Sequence, residues 1–266
     1  MRTPRRPPFN ALLLSCFLSL GFATSAQQDE PRAGAATGVN HLRFDKLLRK
    51  HVHGDAVDYA GLREDVGELE AYLRELAEAT VEGVSRAEKL ALYINAYNAF
   101  TLRLIARNYP DIESIRDIDK PWKRREWIVA GEKYSLDQIE HGILRRQLKE
   151  PRIHFAVNCA SVSCPPLRPH AYRPDRIEEQ LDQATRDFLR SANVRVETEE
   201  GRRGKTQVTL SVSRIFKWFR GDFEPSIPEF VAKYADPRTA TTIRANLKRV
   251  TVEFQEYDWK LNDYIR

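Results

Sequence analysis

Glycine and proline are sparse in this chain of 266 residues, 12 and 14 respectively, and neither gathers into a low-complexity run. That excludes collagen-like and linker-dominated chains, and the scattered glycines assemble no phosphate-cradling loop. Cysteine is rarer still, with three, which excludes a disulfide-dense scaffold. There is no His-x-x-x-His and no pair of CxxC motifs, so no metal site is expected, and no cofactor motif occurs. No internal repeat occurs, and beyond the N-terminus no stretch approaches the roughly 18 apolar residues of a membrane span. What remains is 42% hydrophobic and 30% charged residues with 10% aromatics, the composition of a folded domain, one domain with at most a small lobe.

The N-terminus reads as a leader. Arg2, Arg5 and Arg6 precede a nearly unbroken apolar run over residues 9–23, and Thr24-Ser25-Ala26 forms a small-residue cleavage site. The expectation is a signal peptide over residues 1–26, export to the periplasm or medium, and no membrane-spanning segment after cleavage. Cys16 follows Leu13-Leu14-Ser15, a poor lipidation motif because cleavage there would leave little apolar core. Removing three arginines and no acid takes the net charge from +5 to +2, which leaves no global reason to seek nucleic acid. The local basic clusters, Lys123-Arg124-Arg125, Arg145-Arg146 and Arg202-Arg203 with Lys205, read as solvated surface. Residues 27–40 are small and polar, a flexible lead-in to a single domain over residues 41–266.

Within that domain the 3.6-residue period predicts helices over residues 41–52, 64–79, 86–108, 136–148 and 177–189. Residues 54–62 read as a turn and a short extended piece. Ser85 and Glu88 form a capping box for the third helix, and Ser135 and Gln138 one for the fourth. The third is apolar nearly all round, which makes it the central element. A hairpin is expected over residues 127–134 around Gly131-Glu132, and a strand pair from residues 194–197 and 207–211. The run 152–158 (RIHFAVN) reads as a strand buried on both faces. Short helices over 213–219, 227–234 and 238–247 and a strand over 250–254 complete an α+β pattern. The class is a helix-rich single domain with a small, mainly antiparallel sheet.

The sharpest chemical feature is HFAVNCASVSCPP over residues 154–166. A thiol entering a small-residue loop is well placed as a nucleophile, and it needs a base or cation nearby to ionise. His154 on the expected strand and His141 on the preceding helix are both candidates. Against this stands a Cys159–Cys164 disulfide closing a small loop, or histidines that only brace the fold. Asn95 and Asn98 share a face of the central helix, where a buried amide requires hydrogen bonds. They either orient an imidazole or brace a loop.

The segments LALYINAYNAFTL (90–102), SLDQIEHGIL (135–144) and RIHFAVNCASVSCPPLR (152–168), with SRIFKWF (213–219) and YDWKLN (257–262), resemble the domain-of-unknown-function 547 family. The resemblance runs from about residue 41 to the end. It implies that Asn95, Asn98, His141, His154 and Cys159 occupy the family's motif positions. It also implies that serine stands at the place of Cys164 in plant members, so an obligatory disulfide is not the motif's purpose. The order of His and Cys resembles a rearranged papain or transglutaminase core by analogy. The resulting expectation is a thiol-dependent amide hydrolase or acyltransferase. Cys159 attacks, His141 or His154 takes the proton, Asn95 or Asn98 orients the imidazole, and N–H groups of the 159–163 loop receive the oxyanion. The substrate would be a peptide, a peptidoglycan stem or a γ-glutamyl compound. The alternative is a non-catalytic envelope binding or scaffold module.

Overall fold

The computed structural model describes Met1 and residues 37–201 and 204–264. All of the expected leader over residues 1–26 except Met1, most of the lead-in and the Arg202-Arg203 pair lie outside the described residues. The end of the lead-in is tied down, because the Thr80 N–H donates to the Thr37 carbonyl at 2.9 Å.

Residues Gly34–Arg266 form one compact unit. Its first part is helical: α1 (Leu42–His51), α2 (Tyr59–Glu64), α3 (Val66–Ala77) and α4 (Arg86–Asn108). Helix α4 begins at the expected capping box, with the Ser85 hydroxyl accepting from the Glu88 N–H and the Glu88 carboxylate accepting from the Ser85 N–H. Leu90, Ile94, Leu104 and Ile105 are fully buried on one side of it, and Leu92, Ala96 and Ala99 on others. It is the central element, as its all-round apolarity requires. Between α1 and α2 the chain makes a hairpin of two very short strands, β1 (Val52–His53) and β2 (Ala56–Val57), rather than a single extended piece, turning at Gly54 with φ +62.

The hairpin β3 (Trp127–Val129) and β4 (Glu132–Tyr134) pairs Val129 with Glu132. Its turn therefore falls at Ala130-Gly131, one residue earlier than expected, with φ positive at both positions as a type I′ turn demands. The Ser135–Gln138 capping bonds form as expected. The helix they start, Gln138–Gln147, is wound in the wide π form, and the Leu148 N–H reaches back five residues to the Ile143 carbonyl.

The second part holds α5 (Ile177–Arg190), β5 (Val194–Glu200), β6 (Thr206–Val212), α6 (Ile215–Trp218), α7 (Ile227–Tyr234), α8 (Pro237–Ala245) and β7 (Val250–Phe254). Strand β6 lies between its neighbours, antiparallel to β5 with Val196 opposite Leu210 and parallel to β7 with Leu210 opposite Val252. Val208, Leu210 and Val212 alternate inward, the period of two that the sequence carries. The α+β class holds: helices dominate and the small sheets are mostly antiparallel. No helix among the described residues is long and apolar enough to cross a membrane.

One expected element is absent. Residues 152–158 form no strand; Pro151–Phe155 is a 3₁₀ helix that leads into irregular chain. Pro151 opens the turn, the Glu150 carboxylate caps the Arg152 N–H at 3.1 Å, and the Arg152 guanidinium is held by Glu150, Asp182 and Glu178. The run is apolar because its side chains go to different places. Ile153 joins the core around α4, whereas Phe155 joins a second core with Phe188, Phe216, Phe223 and Phe230. Periodicity alone does not separate that arrangement from a buried strand.

Candidate functional site

A cavity of about 200 Å³ opens between these two cores and brings together Cys159, Cys164, His141 and His154. Asp137, just before the π helix, and Glu140 within it also line the cavity, and an aromatic wall is made by Trp218, Phe219, Tyr257 and Trp259. The aromatic wall is continuous, with ring centroids 4.9 Å apart for Trp218–Tyr257 and 4.6 Å for Tyr257–Trp259.

The loop that carries Cys159 is fixed from both sides. The Asn98 amide donates to the Ala156 carbonyl at 3.0 Å and its oxygen accepts from the Asn158 N–H at 2.8 Å. The Asn158 side chain bridges the loop, accepting from the Ala160 N–H and donating to the Pro165 carbonyl, both at 2.8 Å. That grip holds Ala160 at φ +62, a left-handed conformation costly for a residue with a Cβ. The C-terminal segment clamps the other edge. The Val162 and Ser163 N–H groups donate to the carbonyls of Lys260 and Asp258, and the Asp258 N–H donates to the Ser163 hydroxyl.

Cys159 is half-buried and its sulfur is surrounded by donors. Cys164 Sγ lies 3.0 Å away, Ser161 Oγ 3.2 Å and the Tyr257 hydroxyl 3.3 Å. The hydrogen bond from Cys164 is the largest influence and pulls the Cys159 thiol down to about 7, against burial, with help from Ser161 and Tyr257. Burial, and then the neighbouring sulfur, push Cys164 well above the ordinary thiol range. The two are free thiols, and they are chemically unequal: one ionisable at neutral pH, the other a persistent donor. Burial, followed by the charge of the two cysteines, also holds Tyr257 far above its usual range, so its hydroxyl stays protonated.

No histidine is among the hydrogen-bond partners of Cys159 in the described residues. His154 Nε2 is 2.7 Å from Asp222 Oδ2, and the ring stacks on Phe219 with centroids 4.1 Å apart. A carboxylate accepts, so Nε2 carries the proton and Nδ1 of the neutral ring is the unprotonated nitrogen. Burial is the main reason His154 titrates below its ordinary range, and the bond to Asp222 opposes it. Asp222 is also bound by both ends of the Arg145 guanidinium. Although burial works to raise Asp222, its bonds to His154 and Arg145 outweigh it and hold the carboxyl well below the usual carboxylate range. His141 accepts from Arg145 Nη1 at 3.3 Å through Nδ1, and burial lowers it too. Glu140, buried beside the Tyr97 hydroxyl, is pushed up to about 7 by burial.

Cys159, His141 and His154 therefore meet in one cavity, while Asn95 and Asn98 stand outside it. Asn95 brackets Tyr172, donating to its carbonyl at 2.8 Å and accepting from its N–H at 2.9 Å. Both asparagines brace loops, and the residue that orients an imidazole is Asp222. The expected oxyanion donors are also corrected. Within 159–163 the Cys159 N–H is taken by Cys164 Sγ, Ala160 by Asn158, Val162 by Lys260 and Ser163 by Asp258, while the Ser161 N–H faces the Cys159 sulfur. Arg145, read as surface charge, is an internal ion-pair partner. Asp222 carried no signal in the sequence, because its importance comes from chain segments that only folding brings together, and Glu140 was visible only as the residue before His141 in the SLDQIEHGIL segment. Tyr257 was visible only as the first residue of the YDWKLN segment.

No curated protein and no solved structure matches the chain. Among the described residues no group of three or more His, Cys, Asp or Glu side chains is arranged to hold a metal ion. Residues 81–189, which include Cys159, Cys164, both cavity histidines and Glu140 but neither Asp222 nor Tyr257, match the model of a family described as protein of unknown function, DUF547.

Proposed function

We propose that the cavity is a thiol-dependent acyl-transfer site, in which Cys159 attacks the carbonyl of an amide or activated acyl group. The observation that carries this reading is an ionisable thiol sharing a 200 Å³ cavity with an imidazole whose outer nitrogen is bound by a carboxylate. Asp222 sets the tautomer of His154 and positions it, so that Nδ1 is the nitrogen able to take or return a proton. Because the Cys159 thiol is drawn down to about 7, a large fraction is thiolate before substrate arrives, and the imidazole's main task is protonating the leaving amine. Tyr257, permanently protonated and 3.3 Å from the sulfur, is the donor that supports a developing oxyanion in place of the occupied loop amides. The apolar, aromatic wall favours a small acyl group or a single side chain of a peptide or γ-glutamyl compound.

The test is single-turnover acylation with p-nitrophenyl acetate, read by intact mass. A Cys159-linked acetyl group should form in the wild type and be absent in Cys159→Ser. Deacylation should slow in Asp222→Asn, which keeps the shape but loses the charge that holds the imidazole. Absence of any Cys159-dependent acylation would favour a binding module in its place. The same reading includes export with removal of residues 1–26, which predicts an N-terminus at Gln27 in the exported protein; a retained Met1 or a lipid on Cys16 would overturn that part.

A further inference from the structure

The two sulfurs stand closer than catalysis by Cys159 alone requires. Cys164 Sγ lies 3.0 Å from Cys159 Sγ and also accepts the Cys159 N–H at 2.9 Å, so the pair is held by two bonds. The loop joining them is fixed at both ends by Asn158 and along its edge by the carbonyls of Lys260 and Asp258. A disulfide needs the sulfurs about 2.05 Å apart, so closure asks for a sulfur displacement of about 1 Å. Exposure differs in the useful direction. Cys159 is half-buried in the cavity lining, whereas Cys164, also in that lining, is buried at 7% exposure, so Cys159 is the more accessible of the two to a molecule entering from solvent.

We propose that Cys159 and Cys164 form a reversible dithiol–disulfide couple that exchanges with the disulfide of a small thiol compound. The proposal shares the Cys159 nucleophile with the acyl-transfer reading and does not depend on its acyl chemistry. In the first step the Cys159 thiolate attacks one sulfur of the external disulfide. An S–S bond forms, the external S–S bond breaks, and the first external thiolate departs. In the second step Cys164 loses its proton to that departing thiolate and attacks Cys159 Sγ. The internal disulfide forms and the second external thiolate leaves, to be protonated by water. The dithiol is oxidised by two electrons and the external disulfide is reduced to two thiols. While the internal disulfide stands, Cys159 has no nucleophilic sulfur, so the same exchange switches the acyl-transfer site off.

The experiment uses the full chain carrying Cys16→Ser, reduced and then exposed to glutathione disulfide, quenched in acid with N-ethylmaleimide and read by intact mass. The expected product has lost two hydrogens, holds no glutathione and takes no maleimide, and reduced glutathione reverses it. In Cys164→Ser, which keeps a donor beside Cys159, a glutathione adduct on Cys159 should accumulate at least about tenfold over the wild type, because the resolving thiol is gone. Cys159→Ser should react about tenfold more slowly or not at all, because its remaining thiol is buried and protonated. A wild-type chain that retains glutathione on Cys159 with Cys164 still open to maleimide overturns the proposal, as does a wild-type chain inert to glutathione disulfide. The wild-type masses decide this even if a variant fails to fold. Acylation by p-nitrophenyl acetate without internal disulfide formation sinks the couple and leaves acyl transfer standing; the reverse result does the opposite.

Discussion

Replacing Cys164 with alanine isolates the interaction that most lowers the Cys159 thiol. The 3.0 Å contact between the two sulfurs favours the Cys159 thiolate over the thiol, because Cys164 keeps its proton and donates once Cys159 has lost its own, so its loss should raise the Cys159 pKa from about 7. A hydrogen bond to a charged group contributes roughly 1.5–3 kcal/mol, and one pKa unit corresponds to about 1.4 kcal/mol, so the rise should be about 1–2 units. A sulfur donor is weak, which favours the lower end. At pH 7 the thiolate fraction should then fall from about one half to roughly 1–10%, a 5- to 50-fold loss. Part of that is returned, since each unit of higher pKa makes the thiolate about 3-fold more nucleophilic. The net expectation is an alkylation rate about 2- to 6-fold lower at pH 7, with the midpoint of the rate–pH profile displaced upward. Iodoacetamide labelling of Cys159, followed by peptide mass spectrometry from pH 5 to 10, measures both. A wild-type midpoint at the ordinary thiol value near 8.5, or an unchanged midpoint in Cys164→Ala, would refute the reasoning.

Other substitutions probe the supports of the site. Asn98→Ala strands the Asn158 N–H and the Ala156 carbonyl in a buried setting, at about 1–3 kcal/mol for each, so chemical denaturation should show a loss of at least about 2 kcal/mol. Ile94→Ala and Leu104→Ala remove fully buried side chains from α4 and should each cost about 2–5 kcal/mol; losses below about 1 kcal/mol in both would displace α4 as the centre of the core. Burial lowers His41 to about 4, while its Nδ1 lies 2.7 Å from the Tyr72 hydroxyl. The unfolded imidazole protonates near 6.5 and the folded one does not, so the contribution is complete above about pH 7 and is lost as the pH falls. Between pH 7 and 4.5 the wild type should lose about 2–3 kcal/mol more than His41→Gln, measured by urea denaturation at each pH.

The local physics of this chain is written along it. Ser85 and Glu88 start α4, Ser135 and Gln138 start the next helix, and the alternation of Val208, Leu210 and Val212 sets the inner face of β6. These are interactions among residues a few positions apart, and spacing alone determines them. The candidate thiol was legible for a similar reason, since a small-residue loop with two cysteines is a local pattern. What only the tertiary structure decided is the partnership around that loop. Asp222 lies 68 positions from the imidazole it holds, and Tyr257 lies 98 from the sulfur it faces. The run at 152–158 misled for the same cause: Ile153 and Phe155 are buried in two different cores, and burial in two cores reads in sequence like burial on two faces of a strand. Hydrophobic patterning records that a side chain leaves water and does not record which neighbour receives it.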